Sequence, residues 1–287
     1  LHFLVPKGDK LSYNRLSRFG PVNQLIKARG PQTPNAYFIP KFLLAFIKSF
    51  KFVKRDFDVI ISTGSNFCLP PALIGIAYGI PLINIESPVR FTKPGLTTKL
   101  LAPFSSITAL QWPEQKSILN GVVVGPILPE LEFDPWEGGY IFVTGGTFGH
   151  KALFDVLSDT GWKSIVLQTG RVNPKNYQER NPEWKVFKYT DNFEYYLAGS
   201  DVVITHFGST VLEAANLKKP MVIVPNPEWT RTVGLEDAKL LAKNVNAEVL
   251  GDLSVESLKE TVLSARSREP LILPDGSSRL ASIIIDL

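Results

Sequence analysis

The chain has 287 residues, enough for about two domains at roughly 100–200 residues each. With 44% apolar and 20% charged residues it is neither disordered nor collagen-like, and its single cysteine, Cys68, excludes an internal disulfide and a cysteine-based zinc site. The net charge of +4 is uneven: residues 1–56 carry 11 Lys and Arg against 2 Asp and Glu, whereas residues 138–287 carry 16 against 18. Such a basic leading region points to an anionic partner, whether membrane, phosphorylated lipid or nucleic acid.

Leu1–Pro6 reads as a buried strand ending at a turn, and the only methionine is Met221, so a start upstream of Leu1 is expected. Residues 40–55 read either as a basic interfacial helix, with Lys41, Lys48, Lys51 and Lys54 among aromatic and aliphatic residues, or as a core helix with one cationic face. Short apolar runs follow as strand candidates at 59–62, 82–85, 106–110 and 122–124. Residues 126–139, with three prolines and several acids, read as a linker. Beyond it the pattern restarts, with strand candidates at 140–143, 164–167, 185–187, 202–204, 221–224 and 247–250. Runs that are apolar on both faces and separated by helical stretches predict parallel strands in βαβ units. The expected fold class is therefore α/β: two doubly wound Rossmann-like domains, 1–129 and 130–287, facing a cleft.

Ligands of such sheets bind at the carboxyl ends of the strands. Gly145, Gly146 and Thr147 follow a strand and precede a helix, either as a bare tight turn or as a turn that lets backbone N–H groups reach an anion. His150, at the helix entry, is either a phosphate contact or a surface residue. His206, Gly208, Ser209 and Thr210 form a second such turn. Glu213, three residues after Thr210, is either a capping-box partner or a group that grips a ribose diol. Pro225-Asn226-Pro227 adds a third loop to the same edge. In the first half, 61–66 and 83–90 are strand-end loops. Glu86 with Arg90 reads as a local ion pair or N-cap, or as a cleft carboxylate with a phosphate-binding arginine.

Taken together, these blocks resemble a known family. The first part (58–64, 70–73, Ile83 to Ser87 with Arg90, 110–114) is similar to Alg14 and the second (143–147, 167–171, 203–210 with Glu213, 235–238) to Alg13, here joined in one chain as in archaeal counterparts, with MurG as a more distant relative. The resemblance covers nearly the whole chain. It implies a GT-B fold and an inverting β-1,4-N-acetylglucosaminyltransferase that moves the sugar from UDP-GlcNAc to a dolichol-type lipid-diphosphate N-acetylglucosamine in N-glycan precursor assembly. It places the donor against Gly145, Gly146, Thr147, Gly170, His206, Gly208, Ser209, Thr210 and Glu213, with Glu213 on the uridine ribose. It places the acceptor against Ser87 and Arg90, with Glu86 as base or orienting group. The family's Gly-Gly-His loop would fall before Leu1, and its usual His-Gln pair before the last donor helix is replaced by Val233-Gly234.

No DxD-like acidic pair stands at a strand end, so neither metal nor cofactor is expected, and backbone N–H groups would carry the departing diphosphate. The expected partners are UDP-GlcNAc, the lipid-linked acceptor and a membrane surface, at the cytoplasmic face of the cell membrane. Attachment there would be peripheral or through an upstream segment. Nucleic acid is not expected, because no RNA- or DNA-binding motif accompanies the basic start. Three other readings are another MurG-like glycosyltransferase with a lipid acceptor, a UDP-N-acetylglucosamine 2-epimerase, which needs no lipid face, and a nucleotide-sugar-binding scaffold subunit.

Overall fold

The computed structural model describes residues 1–29, 37–226 and 234–287. The chain divides into two compact units. The first comprises Leu1–Ser87, Lys93–Val124 and Ser278–Leu287, and the second Pro88–Thr92 and Gly125–Ser277.

In the first unit, β1 (Phe3–Pro6) and β2 (Val22–Leu25) form a parallel pair joined through α1 (Lys10–Leu16). Asp9 caps that helix, its carboxylate accepting from the Ser12 N–H at 3.0 Å. A separate four-stranded parallel sheet runs in sequential order through β3 (Ile60–Ser62), β4 (Leu82–Ile85), β5 (Ile107–Leu110) and β6 (Val122–Val123). Helix α3 (Leu69–Ala77) lies between β3 and β4, and α4 (Leu96–Leu101) between β4 and β5. Gly75 of α3 leaves no room for a Cβ against the Ile60 side chain, so helix and sheet approach closely there.

Helix α2 (Phe38–Ser49) is shorter than the sequence suggests. It ends at Ser49 because the chain turns inward: the Ser49 hydroxyl bonds back to the Ala45 carbonyl, and Val53 buries itself against Ile74 and Ile80. Of the helix, only Ala45 and Ser49 are buried. Ile39, Leu43, Leu44 and Ile47 are exposed, as are Phe50 just beyond the helix and Lys41, Lys48, Lys51 and Lys54. Among the described residues no helix is long and apolar enough to cross a membrane.

In the second unit the elements alternate regularly: β7 (Tyr140–Thr144), α5 (Lys151–Ser158), β8 (Ile165–Gln168), α6 (Lys175–Arg180), β9 (Lys185–Phe187), α7 (Phe193–Ala198), β10 (Ser200–His206), α8 (Thr210–Asn216), β11 (Met221–Val224), α9 (Leu235–Val245), β12 (Glu248–Val249) and α10 (Val255–Arg266). Helix α11 (Gly276–Ile285) starts in this unit, and its residues from Ser278 are grouped with the first. All six strands are parallel, in the order β12-β11-β10-β7-β8-β9. Counted from β7, this is the 3-2-1-4-5-6 order of dinucleotide-binding folds. β7, β8 and β11 lie in the interior, as strands covered on both faces must, with Phe142, Leu153, Phe154, Leu157 and Leu167 fully buried.

Residues 126–139 are irregular, as predicted, yet they are not a free linker. Glu194 accepts from the N–H groups of Glu132 and Phe133, the Trp136 N–H donates to the Ala198 carbonyl, and the Trp136 ring lies 5.1 Å from that of Tyr195. Aromatic packing and backbone pairing therefore hold this segment along α7 and the start of β10.

Candidate functional site

In a doubly wound sheet the chain order reverses at one point, leaving a crevice outside the carboxyl ends of two adjacent strands. Here those strands are β7 and β10, which pair from Val202↔Ile141 to Thr205↔Thr144. The loops that follow them are the two Gly-rich turns singled out in the sequence, so the topology brings Gly145–Thr147 and His206–Thr210 together.

The glycines are required. Gly146 has φ +66°, its N–H donates to the Thr144 hydroxyl at 3.1 Å, and a Cβ on it would lie 2.5 Å from His206 Cε1. Gly170 has φ +63°, and a Cβ there would meet the Thr147 carbonyl oxygen at 2.8 Å. The loop after β8 is thereby packed under the loop after β7. Thr147 is exposed, and its carbonyl accepts from the Tyr189 hydroxyl at 2.9 Å. Gly208 and Ser209 sit at the mouth of the second turn, a Gly208 Cβ falling 3.1 Å from His206 Cε1.

His206 is the distinctive group. Its Nδ1 is buried and has no hydrogen-bond partner among the described residues. Burial pushes its pKa down to about 4, with His150 adding to the shift, so the ring is neutral at pH 7. His150 is not the surface residue that its place at the helix entry suggests. It is 1% exposed and caps α5, with Nδ1 accepting from the Leu153 N–H at 3.3 Å and Nε2 3.4 Å from the Pro225 carbonyl oxygen. Since Nδ1 accepts, the proton belongs on Nε2, and His150 ties α5 to the end of β11.

The capping-box reading of Glu213 does not hold, because Thr210 is the first residue inside α8 and the N-cap is Ser209, which makes no side-chain cap bond. Thr210 is buried and Glu213 half-buried in the first turn. Of the third loop, Pro225 and Asn226 are described. Pro227 and Val233 lie outside the described residues, and Gly234 begins the next described stretch as the N-cap of α9.

In the first unit the geometry departs from expectation. Glu86 is 1% exposed, and its carboxylate is turned onto backbone: one oxygen accepts from the Ser87 N–H at 2.7 Å and the other from the Gly95 N–H at 2.8 Å. A carboxylate so placed braces the loop between β4 and α4. Both oxygens are thus engaged by backbone N–H groups, an arrangement the expected role as base does not call for. It is not an N-cap, since Gly95 occupies that position in α4. Ser87 remains half-buried in the first unit, whereas Arg90 falls within Pro88–Thr92 and is grouped with the second.

How Pro88–Thr92 is held has no signal in the residue pattern. Asp237 of α9, 3% exposed, accepts from the N–H groups of Phe91 (2.7 Å), Thr92 (2.9 Å) and Gly234 (2.9 Å) and from the Thr92 hydroxyl. Burial pushes its pKa up, but these four donors outweigh it and hold the carboxyl below the usual range. Among the described residues no cluster of three or more His, Cys, Asp or Glu is placed to hold a metal ion.

Comparison with known proteins falls on the same strands. Residues 140–275 match the model of the glycosyltransferase family 28 C-terminal domain. This domain covers just under half of the chain and contains both Gly-rich turns, His206 and Glu213. Over 298 aligned residues the chain is 26% identical to a Bacillus cereus protein named UDP-N-acetylglucosamine–N-acetylmuramyl-(pentapeptide) pyrophosphoryl-undecaprenol N-acetylglucosamine transferase 1, covering 87% of this chain and 79% of that protein. The crystal structure of Acinetobacter baumannii MurG matches with a TM-score of 0.64 at 19% identity, covering 99% of this chain and 90% of that one. The Methanocaldococcus jannaschii UDP-GlcNAc 2-epimerase, solved with UDP-GlcNAc and UDP, matches with a TM-score of 0.60 at 15% identity, covering 97% and 88%. The fold is the MurG-like GT-B class, as the sequence predicts.

Proposed function

We propose that the protein is an inverting glycosyltransferase that takes N-acetylglucosamine from UDP-GlcNAc and passes it to a sugar carried on a lipid diphosphate. The observation that carries this reading is the meeting of two Gly-rich turns at the β7/β10 switch point around a neutral histidine whose Nδ1 has no hydrogen-bond partner among the described residues. The family 28 match over those strands and the named activity of the Bacillus cereus relative support it.

In the reaction, the acceptor hydroxyl attacks the anomeric carbon from the face opposite the nucleotide, the C–O bond to UDP breaks, and a base takes the hydroxyl proton. The diphosphate leaves with added charge. Backbone N–H groups of the 145–149 turn stabilise it as fixed dipoles that need no reorganisation. Because His206 is neutral at pH 7, it contributes a hydrogen bond to the donor rather than a full charge. Glu213, half-buried in the first turn of α8 beside the second Gly-rich turn, is assigned to the ribose. Glu86 is assigned to bracing the acceptor loop, which leaves the base to another group.

Two acceptors fit this chemistry. The resemblance to the Alg14–Alg13 pair favours a dolichol-type N-acetylglucosamine acceptor and a β-1,4 product, and the relative's name favours a muramyl-undecaprenyl one. An epimerase reading is favoured by the match to the Methanocaldococcus jannaschii enzyme. One experiment separates them: incubation with UDP-GlcNAc and each lipid acceptor in turn. Transfer to a lipid sugar supports the proposal and names the acceptor. Conversion of UDP-GlcNAc to its 2-epimer without acceptor would replace it. The exposed apolar and basic face of α2 supports peripheral attachment to the cytoplasmic face of the membrane.

A further inference from the structure

At the amino-terminal edge of the second unit's sheet, away from Gly146 and His206, the start of β7 backs a concavity of about 490 Å³. Helix α10 and the turn before β8 form its sides. Lys259, Leu263 and Arg266 recur at helical spacing and so share one face of α10, with Val262 beside them, while Trp162 and Lys163 come from the turn.

Three features of this concavity point the same way. First, Lys163, Lys259 and Arg266 are exposed, and none makes an ion pair among the described residues. Other cations of the unit do pair, Lys151 with Asp155, Arg180 with Asp159 and Arg268 with Glu248. Second, acids outnumber bases over residues 138–287, so three unpaired cations around one hollow are a local exception rather than a general charge. Third, the surface between them is apolar: Trp162 and Val262 line it, and Leu263 stands 72% exposed between two cations of its own helix. Converging like charges repel, and an exposed leucine gains nothing from water. One ligand relieves both, an anion with an apolar body. The volume lies within the roughly 300–1,000 Å³ typical of small-molecule sites.

We infer that this concavity is a second binding site, for a small organic anion such as an aryl or acyl phosphate, with the three cations on its head group and Trp162 and Leu263 on its apolar part. It is separate from the nucleotide site: β7 runs five residues between the two edges, about 16 Å at roughly 3.3 Å per residue. The inference does not depend on the glycosyltransferase reading.

The test uses the full chain and 1-naphthyl phosphate, titrated by calorimetry and by tryptophan fluorescence with excess UDP present to occupy nucleotide-phosphate contacts. Naphthyl phosphate binds at least tenfold more tightly than inorganic phosphate or 1-naphthol alone. Lys259→Gln combined with Arg266→Gln weakens it at least tenfold while leaving the melting temperature and the activity without ligand unchanged. Trp162→Phe removes the fluorescence response and keeps the calorimetric one. Lys163→Gln and Leu263→Ser, made singly, repeat the loss on separate elements should the double variant fold poorly. Equal binding by wild type and these variants, no binding at millimolar naphthyl phosphate, or equal binding of inorganic phosphate would overturn the assignment.

Discussion

Gly146 and His206 are held against each other across the ends of two neighbouring strands, a Cβ on Gly146 falling 2.5 Å from His206 Cε1. Gly146→Ala must push the ring aside and also forces an L-residue to φ +66°, which costs about 1–2 kcal/mol on its own. The expected result is UDP binding at least tenfold weaker with the melting temperature lowered by a few degrees, read by calorimetry and thermal unfolding. Undiminished UDP affinity would separate this turn from the nucleotide.

His206 gives stability a pH dependence of defined sign. Its folded pKa, about 4, lies below the ordinary 6.5, so between these values the unfolded chain binds the proton and the fold does not. Its contribution is whole above pH 6.5 and is lost as pH falls through 4. Asp155, Asp237 and Glu248, also lowered in the fold, add their loss at more acid pH, beneath the usual carboxylate values. A His206→Asn variant should flatten the slope between pH 4 and 6.5 and leave the more acid slope in place. Identical slopes in denaturant titrations would remove His206 as the cause.

Glu86 separates a structural from a chemical role. Glu86→Ala leaves the half-buried Ser87 N–H and the buried Gly95 N–H without acceptors, at about 1–3 kcal/mol for the buried one and less for the other, so stability should fall by about 2–4 kcal/mol. Glu86→Gln keeps one oxygen and should recover part of that stability together with most of the activity. A Gln variant that folds as wild type yet loses activity 100-fold or more would restore Glu86 as the base.

The second unit was largely legible in the sequence because its strands are apolar on both faces and its turns carry glycines that the backbone requires, as at Gly146 and Gly170. The turns could be placed at one edge from strand order alone. What escaped was the partnering of buried polar groups. His150 and Glu86 look like site residues because polar side chains at strand ends suit both ligands and backbone, and only the geometry shows backbone claiming them. β2 was missed because Val22–Leu25 carries two polar residues in four. The end of α2 was missed because Val53 leaves the helical pattern to join a core formed by distant residues.

The α2 face predicts membrane behaviour. Lys48, Lys51 and Lys54 are exposed beside Leu44, Ile47 and Phe50, an arrangement suited to anionic headgroups, each lysine adding about 1 kcal/mol. Replacing the three with Glu should lower partitioning onto phosphatidylglycerol-containing vesicles at least tenfold in flotation assays, with no change in UDP affinity. Unaltered partitioning would assign this face to another role.

The most direct measurement is hydrogen exchange of the full chain with and without UDP. Slowed exchange confined to residues 145–150 and 206–213, with the first unit's β3–β6 sheet unaffected, is the predicted result. Protection elsewhere in the chain, or none at saturating UDP, would contradict a nucleotide site at the ends of β7 and β10.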